Sequence, residues 1–195
     1  GSFVPPKLLP QMADTFEIVQ FAKDIPNLTV VALVPNFIGA KNAIDAGADK
    51  ICLPLSVSET HSQANLRKSH NEVLEEIRKI SEHIQQLEES LRPEFEGNLS
   101  TAFGCTLEGK VSEDLVLKLG VRMMGLGCDE IGLSDTTGYA NPNQIKRLIR
   151  LLKKEVGEEN LKSMHLHNTR GLGLANALAS LEEGITTLDS SLGGI

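Results

Sequence analysis

The segment Met164-His165-Leu166-His167-Asn168 places two imidazoles one residue apart, just ahead of a glycine-containing turn. In an extended strand the side chains alternate faces with a period of two, so His165 and His167 point the same way. Two imidazoles on one face can grip one metal ion. They cannot complete its coordination shell, so carboxylate, amide or water oxygens must come from elsewhere in the fold, with positions left open for a substrate. The same pair also reads as ordinary polar residues near a sheet end, and its surroundings have to decide between the two.

Short apolar runs rich in β-branched residues alternate with amphipathic stretches, the pattern of repeated strand-helix units around a parallel sheet. Six strands are expected, at about Thr29 to Val34, Lys50 to Leu55, Leu99 to Phe103, Glu130 to Leu133, Ser163 to His167 and Thr186 to Asp189. Phe16, Val19 and Ala22 form one face of a first helix, and Leu115, Leu119, Val121 and Met124 mark a later one. Asn141 followed by Pro142 is an N-cap with proline at the first helical position, which predicts a helix running to about Val156. A longer helix is expected over Leu66 to Leu91, with Glu72, Arg78, Lys79 and Glu82 among the charges of a solvated face. Pro93 to Asn98 reads as the loop into the next strand.

Six parallel units fit either a doubly wound sheet or most of an eight-stranded barrel. Polar residues recur at one strand end after another: Asn36, Ser56, Ser100, Asp135, His165, His167 and Ser190. In a barrel these ends converge on a single mouth. No GxGxxG follows an early strand, and Gly171-Leu172-Gly173 comes late and lacks the third glycine, which argues against a dinucleotide fold. The expectation is an α/β fold, a TIM (β/α)8 barrel that is incomplete, with about six of eight strands in one partial domain over residues 1–195.

The chain has 195 residues, of which 41% are hydrophobic, enough for one domain with a substantial core. A net charge of -7 and a pI near 5.3 argue against a grip on nucleic acid, which needs a concentrated basic surface. No apolar run approaches the length needed to cross a bilayer, so no membrane partner is expected. Cys52, Cys105 and Cys128 are odd in number and widely spaced, so reduced thiols acting as small hydrophobes are expected rather than a disulfide or a CxxC site. Cys105, in Phe103-Gly104-Cys105-Thr106, also falls where it could lie near a site.

The opening Ser2-Phe3-Val4-Pro5-Pro6-Lys7, continuing through Pro10-Gln11-Met12-Ala13-Asp14, closely resembles the loop after the second strand of 3-hydroxy-3-methylglutaryl-CoA lyases. The remainder runs collinearly with that family through Pro35-Asn36, Gly104-Cys105, Glu108-Gly109-Lys110, Glu130 to Thr136, His165 to Thr169, Ala175-Asn176 and Asp189-Ser190-Ser191. The His-x-His segment alone is shared with isopropylmalate and homocitrate synthases and with the carboxyltransferase part of pyruvate carboxylase; the opening loop narrows the resemblance to the lyase.

The resemblance implies a metal-assisted retro-Claisen cleavage of 3-hydroxy-3-methylglutaryl-CoA into acetyl-CoA and acetoacetate, with magnesium or manganese as cofactor. It makes His165 and His167 the histidine metal ligands, gives His165 and Asp135 catalytic roles in proton transfer, and places Asn65 and Ser69 where the family contacts the acyl-CoA. Asp135 also sits in Ser134-Asp135-Thr136-Thr137-Gly138, a segment that as a polar turn would cap the next helix, although function is the favoured reading, and Asn65 and Ser69 read equally as helix-capping residues. Asn168 stands where many members carry aspartate. The resemblance further implies leucine breakdown and ketone-body formation, a homo-oligomeric complete enzyme, and a cytoplasmic location, or the mitochondrial matrix in a eukaryote.

The family's arginine-aspartate pair and catalytic glutamate would precede Gly1, and its catalytic cysteine and asparagine ligand would follow Ser191 to Ile195, so the chain is expected to be an interior piece, inactive alone and prone to associate. The alternatives are a lyase for a related acyl-CoA such as citramalyl-CoA, a synthase of the isopropylmalate or homocitrate type, and a non-catalytic metal- or CoA-binding relic.

Overall fold

A computed structural model describes residues 1–191; the approach to the glycine-rich loop expected at the C-terminal end lies, from Leu192 on, outside the described residues. Six strands form one sheet: β1 (Val31–Leu33), β2 (Lys50–Ser56), β3 (Glu94–Ser100), β4 (Glu130–Asp135), β5 (Leu161–Leu166) and β6 (Thr187–Leu188). All neighbours are parallel, and the spatial order follows the sequence from β1 to β6 without reversal. A doubly wound sheet would reverse its order at a switch point, so this one is a curled succession of barrel units.

Seven helices connect and cover the sheet: α1 (Thr15–Lys23), α2 (Phe37–Asp45), α3 (Glu59–Leu66), α4 (His70–Gln85), α5 (Glu113–Gly125), α6 (Pro142–Val156) and α7 (Gly173–Glu182). The outward-facing strand residues Ile51, Leu53, Leu55, Phe95, Leu99, Ile131 and Leu133 are fully buried against them. At roughly 1.5–3 kcal/mol for each buried large apolar side chain, this layer is the main favourable term holding helices to sheet. α6 forms as the sequence predicts, with Pro142 at its first position and a reciprocal capping box between Asn141 and Gln144.

Three expectations are corrected. The third strand is Glu94–Ser100, not Leu99 to Phe103, so the supposed loop from Pro93 to Asn98 is mostly strand. Its Glu-Phe-Glu-Gly-Asn composition looks like a loop because the inner face of this sheet is polar, and the glutamates find their partners only across strands. The single long helix is two. α3 ends at Arg67, whose backbone is left-handed (φ 56°), and α4 restarts after Ser69, which caps it in a box with Glu72; a 3-10 turn, Glu89–Leu91, follows. The buried face of α5 is Val116, Leu119, Gly120 and Met123, an i, i+3, i+4, i+7 stripe, and Val121 is exposed.

The margin of the sheet at β1 is not bare. Leu33 N–H donates to Gly1 C=O (3.0 Å) and Phe3 N–H donates to Leu33 C=O (2.9 Å), so the opening residues run parallel to β1.

Candidate active site

The inner face of the sheet is a ladder of polar side chains set by strand register. Cys52 lies opposite Glu96, Pro54 opposite Asn98, Ser56 opposite Ser100, Gly132 opposite Ser163 and Ser134 opposite His165. Lys50 Nζ donates to Glu96 Oε2 (2.7 Å) and to Glu130 Oε1, with all three side chains at most 10% exposed. Ser163 Oγ donates to Glu96 Oε1 (2.7 Å), and Ser134 Oγ to Asn98 Oδ1 (2.6 Å). Burial pushes the Glu130 carboxyl up, but the Lys50 ammonium more than offsets it and holds it below the usual carboxylate range. The Cys52 thiol, desolvated and facing Glu96, is pushed well above its ordinary value and is not a ready nucleophile.

Above this ladder, at the C-terminal rim, His165 and His167 do share a face. Their Nε2 atoms lie 3.0 Å apart, with ring centroids 4.9 Å apart and planes at 60°. Two nitrogens bound to one ion at roughly 2.1 Å and about 90° apart are themselves separated by roughly 3.0 Å, so the pair fits two adjacent positions of a divalent ion's shell. His165 Nδ1 faces Asp189 Oδ2 at 2.8 Å. A proton on Nδ1, donated to that carboxylate, leaves Nε2 with its lone pair aimed at His167. Among the described residues no cluster of three or more His, Cys, Asp or Glu side chains forms a fuller ligand set.

Asp135 is wholly buried, and it is held differently from its neighbour Ser134. Its carboxylate accepts from Tyr139 N–H (3.0 Å) and Ala140 N–H (3.1 Å), closing the turn after β4, while Ser134 points into the ladder. Burial pushes the Asp135 carboxyl above its ordinary value, against the pull of those two amides and of His167. The imidazole of His167 is pushed down by burial first and by His165 second, with the Asp135 charge working the other way. Ala140 C=O in turn accepts from Asn176 Nδ2 (3.1 Å), which ties α7 to the same turn. Asn168 Oδ1 accepts from Gly173 N–H (2.8 Å) at the start of α7. An aspartate oxygen could accept there equally, so the departure at 168 leaves this contact intact.

A cavity of about 370 Å³ opens inside the curl, and Asn65, Ser100, Ser134, His165 and Asp189 are among its walls. A smaller one of about 280 Å³ adjoins it at His165, His167 and Ser190. Ser69, by contrast, caps α4, and its hydroxyl is engaged with Glu72 Oε2 (2.7 Å). Asn36 caps α2 by accepting from Gly39 N–H (3.0 Å), and Cys105 is buried in a tight turn where Sγ accepts from Leu107 N–H (3.3 Å). A larger cavity of about 530 Å³ at the start of α5 holds none of the candidate residues.

Two participants escape sequence reasoning. Asp189 reads from the sequence as a strand end and as part of the family-like Asp189-Ser190-Ser191, with no site role, although its position one strand beyond the histidines is a usable signal. His61 sits on α3, and nothing in its spacing relates it to the rim: it enters the site through Ser56, whose Oγ is 2.7 Å from His61 Nδ1 and 3.0 Å from Ser100 Oγ.

A curled, consecutively ordered parallel sheet with paired imidazoles at the carboxyl ends of its strands defines an α/β barrel fold, with the candidate site at the rim. Comparison with known proteins narrows the class: residues 8–195 match the HMGL-like family, and the chain belongs to it. It is 34% identical over 194 residues to a hydroxymethylglutaryl-CoA lyase of Bacillus subtilis, covering all of this chain and 63% of that relative. It is 35% identical over 195 residues to a 3-hydroxy-3-isohexenylglutaryl-CoA/hydroxymethylglutaryl-CoA lyase of Pseudomonas aeruginosa, again covering 63% of the relative. The chain thus spans under two thirds of the length of these relatives. Among solved structures it superimposes, with a TM-score of 0.91 and 39% identity over its whole length, on 62% of an Acinetobacter baumannii HMG-CoA lyase in complex with coenzyme A and 3-methylmalate. Pyruvate carboxylase of Rhizobium etli, at 20% identity and a TM-score of 0.68, shares the fold alone.

Proposed function

We propose that the protein carrying this chain cleaves 3-hydroxy-3-methylglutaryl-CoA into acetyl-CoA and acetoacetate. The observation that carries the reading is the convergence of the His165 and His167 Nε2 atoms, 3.0 Å apart, on one point at the rim of a sheet from this family. In this reading both rings hold a divalent cation, magnesium or manganese, while Asp189 keeps His165 in the tautomer that presents Nε2. When bound, such an ion supplies Lewis acidity at the substrate's tertiary hydroxyl and neighbouring carboxylate.

The residues of this chain do the positioning around that chemistry. His165 is placed to hold or pass a proton at the hydroxyl. Asp135, packed below the rim with its charge acting on His167, biases where that proton resides and fixes the turn. Asn65, on the cavity wall, and Ser69, at the start of α4, are the proposed contacts of the acyl-CoA. The same reading gives the complete enzyme a homo-oligomeric state and places it in leucine breakdown and ketone-body formation, in the cytoplasm or the mitochondrial matrix.

The test is steady-state turnover by the protein that carries these residues, with magnesium or manganese, comparing 3-hydroxy-3-methylglutaryl-CoA with citramalyl-CoA and with acetyl-CoA plus a 2-oxo acid. Fastest turnover of the first, with acetyl-CoA and acetoacetate as products, is the expected result. Condensation without cleavage, or coenzyme A binding with no turnover, would replace this reading with a synthase or a binding protein.

A further inference from the structure

His61 takes no part in the function proposed above, yet it lines the same cavity as His165 and Asp189. It sits at the third position of α3, and its own N–H donates to the Ser58 cap (3.1 Å), so the backbone beneath it is fixed by the start of the helix. The ring is fixed as well. Nδ1 lies 2.7 Å from Ser56 Oγ, and that hydroxyl lies 3.0 Å from Ser100 Oγ, so one strand end holds an edge of the imidazole and the next steadies the hydroxyl that does so. Ser56 and Ser100 are 1% and 9% exposed, whereas His61 is half-buried: the serines are internal anchors and the ring is the part that meets the cavity.

An imidazole has two nitrogens, and committing Nδ1 to a buried hydroxyl leaves Nε2 for something else. Asn65 lies one helical turn further along α3, so His61 and Asn65 share a helix face and both reach the cavity. The histidine pair lies at the end of β5, His165 on it and His167 just past it, three strands away from the Ser56 anchor on β2. A substrate held by its hydroxyl and carboxylate at the histidine pair has to run its remaining length across this cavity, toward the wall that His61 occupies.

We infer that His61, anchored through Nδ1 by Ser56 and Ser100, hydrogen-bonds the thioester oxygen of the acyl-CoA through Nε2 and thereby sets the position of the acyl group. The inference rests on the acyl-CoA reading of the site. It assigns the Ser56–Ser100 pair a purpose: Ser56 holds the ring edge that does not touch substrate, and Ser100 holds the Ser56 hydroxyl.

The test uses the complete protein and two probes, acetyl-CoA and free coenzyme A, which differ by the thioester. In His61→Gln the amide nitrogen falls near the Nε2 position, and in His61→Asn the amide falls near the Nδ1 position and keeps only the Ser56 contact. The expected result is that H61N weakens acetyl-CoA binding about tenfold, one lost hydrogen bond to a partly desolvated carbonyl, and leaves coenzyme A unchanged, while H61Q stays near the parent protein. Equal weakening of both probes, rescue by Asn rather than Gln, or no effect of either variant overturns the inference. A crystal structure of the unaltered protein with acetyl-CoA tests the same contact independently of how the variants fold, and Nε2 out of hydrogen-bonding reach of the thioester oxygen would end it. Failure of the parent protein to bind either probe would instead reject the acyl-CoA reading, and this inference with it.

Discussion

Asp189 Oδ2 lies 2.8 Å from His165 Nδ1, across the ring from the Nε2 that faces His167, so a carboxylate just past β6 is placed to accept a proton from Nδ1 of an imidazole on β5. Carboxylates in this relation to a ligating histidine typically contribute 10–100-fold to metal affinity. Asp189→Ala should therefore weaken manganese binding by about 10-fold or more, read by calorimetric titration, with the far-ultraviolet spectrum unchanged because the Asp189 side chain is 60% exposed. An affinity equal to the parent's would show that Asp189 is not orienting the ring.

Asn65 and Ser69 separate binding from folding. Ser69→Ala removes one half of a capping box and should cost about 1 kcal/mol of stability, seen as a lower midpoint in urea. Asn65→Ala, at an exposed position on the cavity wall, should leave the midpoint in place and weaken acyl-CoA binding more than the serine change does. A larger affinity loss from S69A would make the hydroxyl a ligand contact first and a cap second.

Lys50→Met removes the buried cation that Glu96 and Glu130 share, leaving Glu130 only its second, half-exposed partner Lys162 at 3.2 Å, and removal of one partner from such a group costs about 3–5 kcal/mol. The pH dependence follows from the direction of the Glu130 shift. Its folded pKa is depressed below the ordinary 4.5, so its ionised form contributes stability above that value, and the contribution is lost as pH falls through the folded pKa. Urea midpoints measured from pH 7 down to pH 3 should fall more steeply for the parent protein than for K50M. Parallel curves would mean that the pair contributes nothing to acid sensitivity.

Gly132 faces the same ladder, and a Cβ there would collide with Glu96 Oε1, Ser163 Oγ and Asn98 Nδ2. Ser163 Oγ and Asn98 Nδ2 both donate to Glu96 Oε1, and Asn98 Oδ1 accepts from Ser134, so none can retreat without breaking a contact. Gly132→Ala should cost about 1–3 kcal/mol as an overpacking change, checked by thermal unfolding. An unaltered melt would show that the ladder yields more easily than its hydrogen bonds imply.

What the sequence discloses, and what it hides, divides along the two faces of the sheet. Apolar periodicity reports the outward face, so β2, β4 and α6 are legible, as is the parity that aligns His165 with His167. The inward face is polar and its partners are remote in sequence: Lys50 meets Glu130 80 residues away. β3, whose residues look inward as glutamate and asparagine, therefore reads as a loop. The break between α3 and α4 is hidden because Arg67 adopts a left-handed backbone without a glycine to announce it. His61 is invisible for a third reason, since its anchor is a hydroxyl on a different element and no local pattern records such a contact.

The cation of Lys50 is answered on two successive strands, β3 through Glu96 and β4 through Glu130. Were a neighbouring strand to slip by one position, its glutamate would turn to the apolar outer face and leave Lys50 behind. The arrangement works like a keyed lock among otherwise interchangeable apolar strands: oily faces alone would tolerate several pairings, whereas these charges meet their partners in a single register of β2, β3 and β4.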